Sequence, residues 1–532
     1  MLYLIVFLSG AVLMSLEMVG SRILAPTFGS SIYIWGALIV VVMAALTLGY
    51  YWGGRLADKY PSFLMMGTIL AGAGFWVGLL PFWNASVSYY CAGLGPRTGS
   101  LVAATAFFFI PSVLMATTSP FAIKLASKSL TTIGNTAGHM SAVSSAGSIV
   151  GTLLTSFFLI PAMGVRNIVL TLGFILLGLA LLIVVNFVRN SGQSKALAAF
   201  DKKLRGFLTF MIIIGLLLLV ILAIFLPRRS SHFYKQSQIL YERDSLYHHI
   251  LVADIGMIRH LHFDNSYQSA MYLDAPLEMV FNYTSYLHLG AVVQPQPERV
   301  LFIGLGGGSA PKKFLHDYPS LKRIDVVEID PDVVKVAYRY FGLPEDPKLQ
   351  VSVRDGRLFI AEKAREIAAG LAEPYDMVII DAYSESTIPY HLTTVEFLED
   401  ARRVLTPNGV VVSNIVGALA GSQSRLLASM TRTFRTVFPQ VYLFPVDYWA
   451  GTDEANRNII LIASLNPEYW EAKDWQNRAA VYQGQGLIKE NVAGYTQDLV
   501  RRSAMLEMIK KSKAPLLSDD YAPVDTLQHP LL

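Results

Sequence analysis

The sequence predicts a multi-span α-helical membrane domain followed by a small β domain and an α/β, Rossmann-like domain. Three observations carry that expectation. Mean hydropathy is +0.43 and only 15% of residues are charged, which is unusual for a soluble chain. The apolarity is uneven: charges are sparse before about Leu226 and ordinary after it. The second half alternates short apolar runs with helix-patterned segments, as a doubly wound, mostly parallel sheet requires. At 532 residues the chain is also too long for one ordinary domain.

Seven stretches are long and apolar enough to span a bilayer, whose core about 20 residues cross. They lie near 2–24, 32–54, 63–83, 98–123, 140–163, 167–188 and 206–226. Gly147 and Gly151 form a GxxxG pair, read as ordinary small-residue helix packing and not as a dimer contact. The first span carries Glu17 and Arg22. Charges inside a membrane are costly and face partners or cavities. A structural ion pair is the leading reading, and a substrate path is the alternative.

The net charge of +4 is slight, and basic residues gather in short loops, which speaks for membrane orientation and against nucleic-acid binding. The loops after spans two, four and six hold Arg55, Lys59, Lys124, Lys128, Arg189, Lys195, Lys202, Lys203 and Arg205. Loops after spans three and five hold only Arg97 and Arg166. The positive-inside rule places the richer loops in the cytoplasm, which would put everything after a seventh span outside. Arg228, Arg229, Lys235 and Arg243 follow that span and argue the other way. The span count stays open on this evidence. Cys91 is the lone cysteine, which excludes a disulfide framework and a cysteine-based metal site within one chain. The start has no basic n-region, so no cleavable signal peptide is expected.

The second half is organised by Val300–Asp330. An apolar run, Val300–Ile303, is followed by Gly304-Leu305-Gly306-Gly307-Gly308-Ser309, then by a helical segment with Pro311 in its first turn. The next run, Ile324–Ile329, contains Glu328 near its end. Strand, glycine turn, helix, strand and acid together suit a nucleotide-type ligand: glycines admit a tight turn and close backbone approach, and the acid can hold ribose hydroxyls. A glycine turn that only packs a helix on a sheet is the alternative.

Further strands are expected at Leu349–Val353, Met377–Ile380 and Val410–Ser413, with helices near 312–316, 331–340, 357–369 and 394–404. Ligands of such sheets lie at the carboxyl ends of the strands. Those ends offer Gly304–Gly308, Glu328, Asp355-Gly356 and Asp381. A single strand-end acid is often a helix cap, but three together point to a pocket. Ahead of them, 245–252 and 259–264 read as strands of a small β unit. His248, His249, His260, His262 and His288 fall in or near it without metal-ligand spacing, so hydrogen-bonding strand histidines are expected and no metal.

From about Tyr241 to Ser464 these residues resemble the spermidine synthase family of polyamine aminopropyltransferases, especially its membrane-fused bacterial members. Phe263–Gln268 is similar to the family segment ending in a ligand-contacting Gln, and Phe281-Asn282-Tyr283 to its Phe-Ala-Tyr, whose Tyr lines the substrate channel. Val327–Asp330 resembles the segment whose Glu holds the ribose. Arg354-Asp355-Gly356 resembles the one whose Asp reads the adenine amino group, and Tyr375–Asp381 the strand ending in the general base. Two departures stand out. The family's Gly-Gly-Gly-Asp-Gly-Gly has an Asp that contacts the amine, where this chain has Ser309. Its Asp-x-x-Asp-Pro has a second Asp where this chain has Ser384, with Glu385 next to it.

The resemblance implies an S-adenosylmethionine-type methyltransferase fold and transfer of an aminopropyl group from decarboxylated S-adenosylmethionine to an amine. It implies Asp381 as base, Gln268, Gly304, Gly306, Gly308, Glu328, Asp355 and Gly356 as donor contacts, and Tyr283, Ser309, Ser384 and Glu385 as acceptor contacts. Glu385, Asp519 or Asp520 would replace the missing anions. Expected domains are 1–227 (polytopic, about seven helices), 228–298 (linker and small β domain), 299–470 (Rossmann-like and catalytic) and 471–532 (C-terminal extension). Expected partners are the lipid bilayer and a small amine, without nucleic acid, and a homodimer is left open. The expected location is multi-pass in the inner cell membrane, with the catalytic half in the cytoplasm, where such a donor is made. Two rival readings remain at this point: methyl transfer from intact S-adenosylmethionine, and a membrane transporter or sensor with a non-catalytic nucleoside-binding domain.

Overall fold

The computed structural model describes residues 1–28, 32–127, 129, 132–190, 237–264, 266–383 and 388–528. The chain divides into two compact units, Met1–Lys235 with Arg243–Leu246, and Gln236–Glu242 with Tyr247–Leu532.

In the first unit six helices are long and apolar enough to cross a membrane: Leu2–Ala25, Ile32–Lys59, Phe63–Ala92, Arg97–Ala126, Ile133–Leu159 and Val165–Phe187. They match the first six expected spans, and the expected seventh, 206–226, lies outside the described residues. Small residues let the helices approach closely. A Cβ added to Gly147 would lie 2.0 Å from the Phe7 carbonyl oxygen, and one on Gly151 2.2 Å from that of Ala11. Hydroxyls stitch the same seam: Ser15 donates to Gly151 O at 3.2 Å and Ser148 to Gly10 O at 3.4 Å. The GxxxG pair thus packs within the chain, against the first helix, where close backbone contact gains dispersion that lipid cannot supply. The ion pair expected of Glu17 is not among the ion pairs of the described residues. Five positions along a helix turn Glu17 and Arg22 about 140° apart, too far round to meet.

The second unit has two sheets. The small one has four strands in sequential order: β1 (Gln238–Asp244), β2 (His249–Ile255), β3 (Ile258–Phe263) and β4 (Ser266–Tyr272). The expected strand at 245–252 starts only at His249, because Ser245–His248 forms the bend that turns β1 into β2. The large sheet has seven strands. They are β5 (Arg299–Ile303), β6 (Arg323–Glu328), β7 (Leu349–Val353), β8 (Tyr375–Ile380), β9 (Leu405–Gly417), β10 (Gln440–Pro445) and β11 (Arg457–Ser464), ordered β10-β11-β9-β8-β5-β6-β7. Pairings from β9 through β7 are parallel, while β11 runs antiparallel to both β9 and β10. The order reverses at β5, whose neighbours are β6 and β8. That is the switch point at which open α/β sheets bind ligands. Helices cover both faces, so β5, β8 and the Val410–Val412 stretch of β9 are largely apolar, as buried parallel strands must be.

The glycine seam generates a direct test. Gly147→Leu and Gly151→Leu should each lower the thermal midpoint in detergent, because the added side chain meets backbone that no rotamer change can move; overpacking typically costs about 1–3 kcal/mol. Gly36→Ala, where an added Cβ meets nothing within 4 Å, is the control that should leave the midpoint unchanged or raise it. Equal midpoints for all three variants would contradict the seam.

Candidate active site

The turn after β5 brings the site together. Gly304, Gly306 and Gly308 have φ of +100°, +54° and +75°, a region that disfavours side chains. Gly304 is the tightest: a Cβ there would lie 2.2 Å from the Asp381 carbonyl oxygen. Only a residue without a side chain lets the end of β5 meet the end of β8, and Asp381 N donates to Ile303 O at 2.9 Å across that junction. Gly308 ends the turn as the residue before the helix Ser309–Asp317.

Glu328 ends β6 beside the turn. Its carboxylate accepts from Leu305 N at 3.1 Å and Asp330 N at 3.0 Å. Burial pushes its pKa up to about 7 against the pull of those amide bonds. Asp355 caps the helix Gly356–Ala368, accepting from Leu358 N at 3.0 Å. Its other oxygen stands 3.6 Å from His391 Nε2. The capping role and a place at the pocket rim therefore coexist in one side chain.

Among the described residues Asp381 caps no helix. Its Oδ1 accepts from Asn414 Nδ2 at 2.9 Å and its Oδ2 from the Tyr283 hydroxyl at 3.3 Å. Burial raises its pKa above the ordinary carboxylate value, and the Asn414 and Tyr283 hydrogen bonds oppose the rise. Tyr283, itself held neutral by burial and by the adjacent carboxylate, can only donate to it. A half-buried carboxylate lifted toward neutrality is suited to exchanging a proton.

The small sheet closes one side. The Gln268 backbone oxygen lies 3.9 Å from where a Cβ of Gly306 would sit. Ser309, 9% exposed, shares a 3.4 Å hydrogen bond with Ser269. The structure thus gathers Gln268, Gly304, Gly306, Gly308, Ser309 and Glu328 around the glycine turn, with Asp381 and Tyr283 across the Gly304 contact. Asp355 and Gly356 stand at the end of the neighbouring strand β7. Ser384 and Glu385 lie outside the described residues. Asp519, expected as a replacement anion, pairs with Arg357 at 2.8 Å and accepts from Thr394 at 2.6 Å.

Sequence reasoning missed Asn414, Asn458, Tyr383 and His391. Asn414 had a signal, since an amide interrupts the apolar run Val410–Ile415 in a strand buried on both faces. The histidines of the small sheet make ring and ion-pair contacts within it. His248 stacks on Phe263 at 4.4 Å, His249 meets Glu242 at 3.4 Å, and His260 and His262 pack on Tyr267. His288, Asp317 and Glu490 do bring ligand atoms within 4.8 Å of one another, away from the glycine turn. The Lys313 ammonium lies 2.9 Å from Asp317 and 3.9 Å from Glu490, so the cluster already holds a cation.

Comparison with known proteins identifies the family. A family model, the spermine/spermidine synthase domain, matches residues 280–451. A polyamine aminopropyltransferase of Vibrio vulnificus is 31% identical over 301 residues, covering 55% of this chain and 92% of that protein. The human eEF1A lysine and N-terminal methyltransferase is 34% identical over 179 residues, but these cover only 32% of this chain and 24% of that one. Among solved structures, the spermidine synthase of Thermotoga maritima aligns with a TM-score of 0.39 at 16% identity, over 52% of this chain and 88% of that one. Nearly the whole length of the Vibrio relative is matched at that identity, and the chain belongs to the polyamine aminopropyltransferase (spermidine synthase) family.

Proposed function

We propose that this protein transfers an aminopropyl group from decarboxylated S-adenosylmethionine to a small amine, with Asp381 as the general base. The observation that carries this reading is the Asp381 carboxylate, raised in pKa and held by Tyr283 and Asn414, one backbone contact from the glycine turn. The chain is a transferase of polyamine biosynthesis by family, and the finer assignments are proposed on the residues around the glycine turn.

The donor's adenosine would lie along the glycine turn, with its ribose hydroxyls on Glu328 and its adenine amino group toward Asp355. Backbone amides and glycines admit it closely, as in other Rossmann-like sites. The acceptor amine arrives as an ammonium. Asp381 takes one proton, the freed nitrogen pair attacks the carbon beside the sulfonium, and the carbon–sulfur pair stays on sulfur as methylthioadenosine leaves. Proton transfer by a placed base contributes about 10²–10⁴-fold, and fixed geometry supplies much of the rest. No step draws on a metal. Ser309 in place of an acid argues that the acceptor is held with less anionic charge than a diamine site supplies. The six apolar helices support an anchor in the inner cell membrane, with the second unit in the cytoplasm beside its donor.

Incubating the purified protein with either sulfonium and an amine panel tests the reaction. Methylthioadenosine is the expected nucleoside product, and S-adenosylhomocysteine would replace this reading with methyl transfer. Asp381→Asn should lower kcat by about 10²–10⁴-fold while donor affinity holds. Wild-type turnover in that variant would remove Asp381 as the base.

Glu328 gives a pH test. With a free-state pKa of about 7, it must be ionised to accept two ribose hydroxyls. Calorimetric affinity for methylthioadenosine should therefore be level above about pH 7 and weaken toward tenfold per unit below it. Glu328→Gln should bind more weakly and lose this dependence. A flat wild-type profile would take Glu328 out of the ribose contact.

A further inference from the structure

Behind Asp381 runs a line of two amides that the reaction scheme above does not use. Asn414 lies on β9 and is 3% exposed. Asn458 lies on β11 opposite Val416, which places it diagonally across from Asn414 on the same face of the sheet. Asn414 Nδ2 donates to Asp381 Oδ1 at 2.9 Å, and Asn458 Nδ2 donates to Asn414 Oδ1 at 3.0 Å. The direction of this line follows from charge. A carboxylate only accepts, so Asn414 must turn its NH₂ to Asp381 and its oxygen away, and Asn458 must offer NH₂ to that oxygen. Tyr383 pins the strand behind them, donating to Asn414 O at 3.0 Å and accepting from Val416 N at 2.8 Å.

We propose that Asn458 and Asn414 form a positioning relay that fixes the plane of the Asp381 carboxylate, keeps it ionised and leaves Oδ2 as the oxygen that takes the amine proton. The inference rests on the reading of Asp381 as base. Oδ1 is held at 2.9 Å by an amide that is itself locked. Among the described residues Oδ2 meets only the longer 3.3 Å contact from Tyr283, which can yield to an incoming ammonium. In the transfer the ammonium N–H bond breaks, the proton binds Oδ2, and the electron pair stays on nitrogen for attack at carbon. Amide donation favours the charged carboxylate and opposes the burial that would keep it protonated. Among the described residues, the other titratable groups facing Asp381 are Tyr283 and Tyr383, and burial keeps both neutral.

Asn458→Asp is the sharpest test, because it keeps the side chain's size and removes its donor. A carboxylate at 458 would draw the Asn414 NH₂ toward itself and turn the Asn414 oxygen onto Asp381. The acid limb of the kcat–pH profile should then move up by about one unit, kcat at neutral pH should fall about tenfold, and donor affinity should hold. Asn414→Leu should do the same, and Asn458→Gln, which keeps an NH₂, should recover most of the rate. Packing alone would not move the pH limb or distinguish Gln from Asp at 458, and Asn414→Leu, which adds no charge, separates loss of the relay from repulsion by a new carboxylate. A wild-type limb and kcat in Asn458→Asp, with Asp381→Asn inactive, would overturn the relay and leave the base reading standing. Full turnover by Asp381→Asn would overturn both. If Asn414→Leu does not fold, Asn458→Asp, at a partly exposed position, decides alone.

Discussion

The catalytic half depends on one steric constraint, the contact of Gly304 with the backbone of Asp381. The strands that neighbour each other at the switch point, β5 and β8, end together. The chain leaving β5 must turn aside without a side chain, because a Cβ there would lie 2.2 Å from a carbonyl oxygen. That contact puts the glycine turn and the carboxylate side by side. Glu328 then borders the turn because β6 pairs with β5 on the other side. Parallel pairing delivers all three strand ends to one edge of the sheet, so a pocket follows from topology before any ligand is considered.

Electrostatics distinguish the two buried carboxylates. Glu328 and Asp381 both leave water on folding and both gain pKa, but they are stabilised differently. Backbone amides hold Glu328, which suits a carboxylate that only binds. Side chains hold Asp381, and one of its contacts is long, which suits a carboxylate whose proton comes and goes. Buried carboxylates are costly unless hydrogen-bonded, and the number and kind of those bonds set which acid does which work. At Ser309 the glycine turn carries a serine hydroxyl paired with Ser269.

Much of this was legible in the sequence. The first six spans showed because twenty consecutive apolar residues have few other uses, and the strands showed because buried parallel strands read as unbroken apolar runs. Glu328, Asp355 and Asp381 showed because acids at the ends of such runs are conspicuous. Asn414 and Asn458 did not show, because their meaning lies in the β9–β11 register, and β10 and β11 join the sheet antiparallel after a helix that gives no hint of strand order. The fate of Asp519 was hidden for a similar reason: its partner Arg357 is 162 positions away. The glycine pair at 147 and 151 was read as packing, and the structure supplied the partner, the first helix.

One variant reaches the central constraint directly. Gly304→Ala adds a single carbon at the junction of the turn and Asp381. Its affinity for methylthioadenosine, measured by calorimetry together with turnover, should fall at least about tenfold, and turnover should fall with it, because the carbon displaces both partners of the contact. Asp381→Asn, by contrast, should change turnover alone. Wild-type affinity and wild-type turnover in Gly304→Ala would contradict the account.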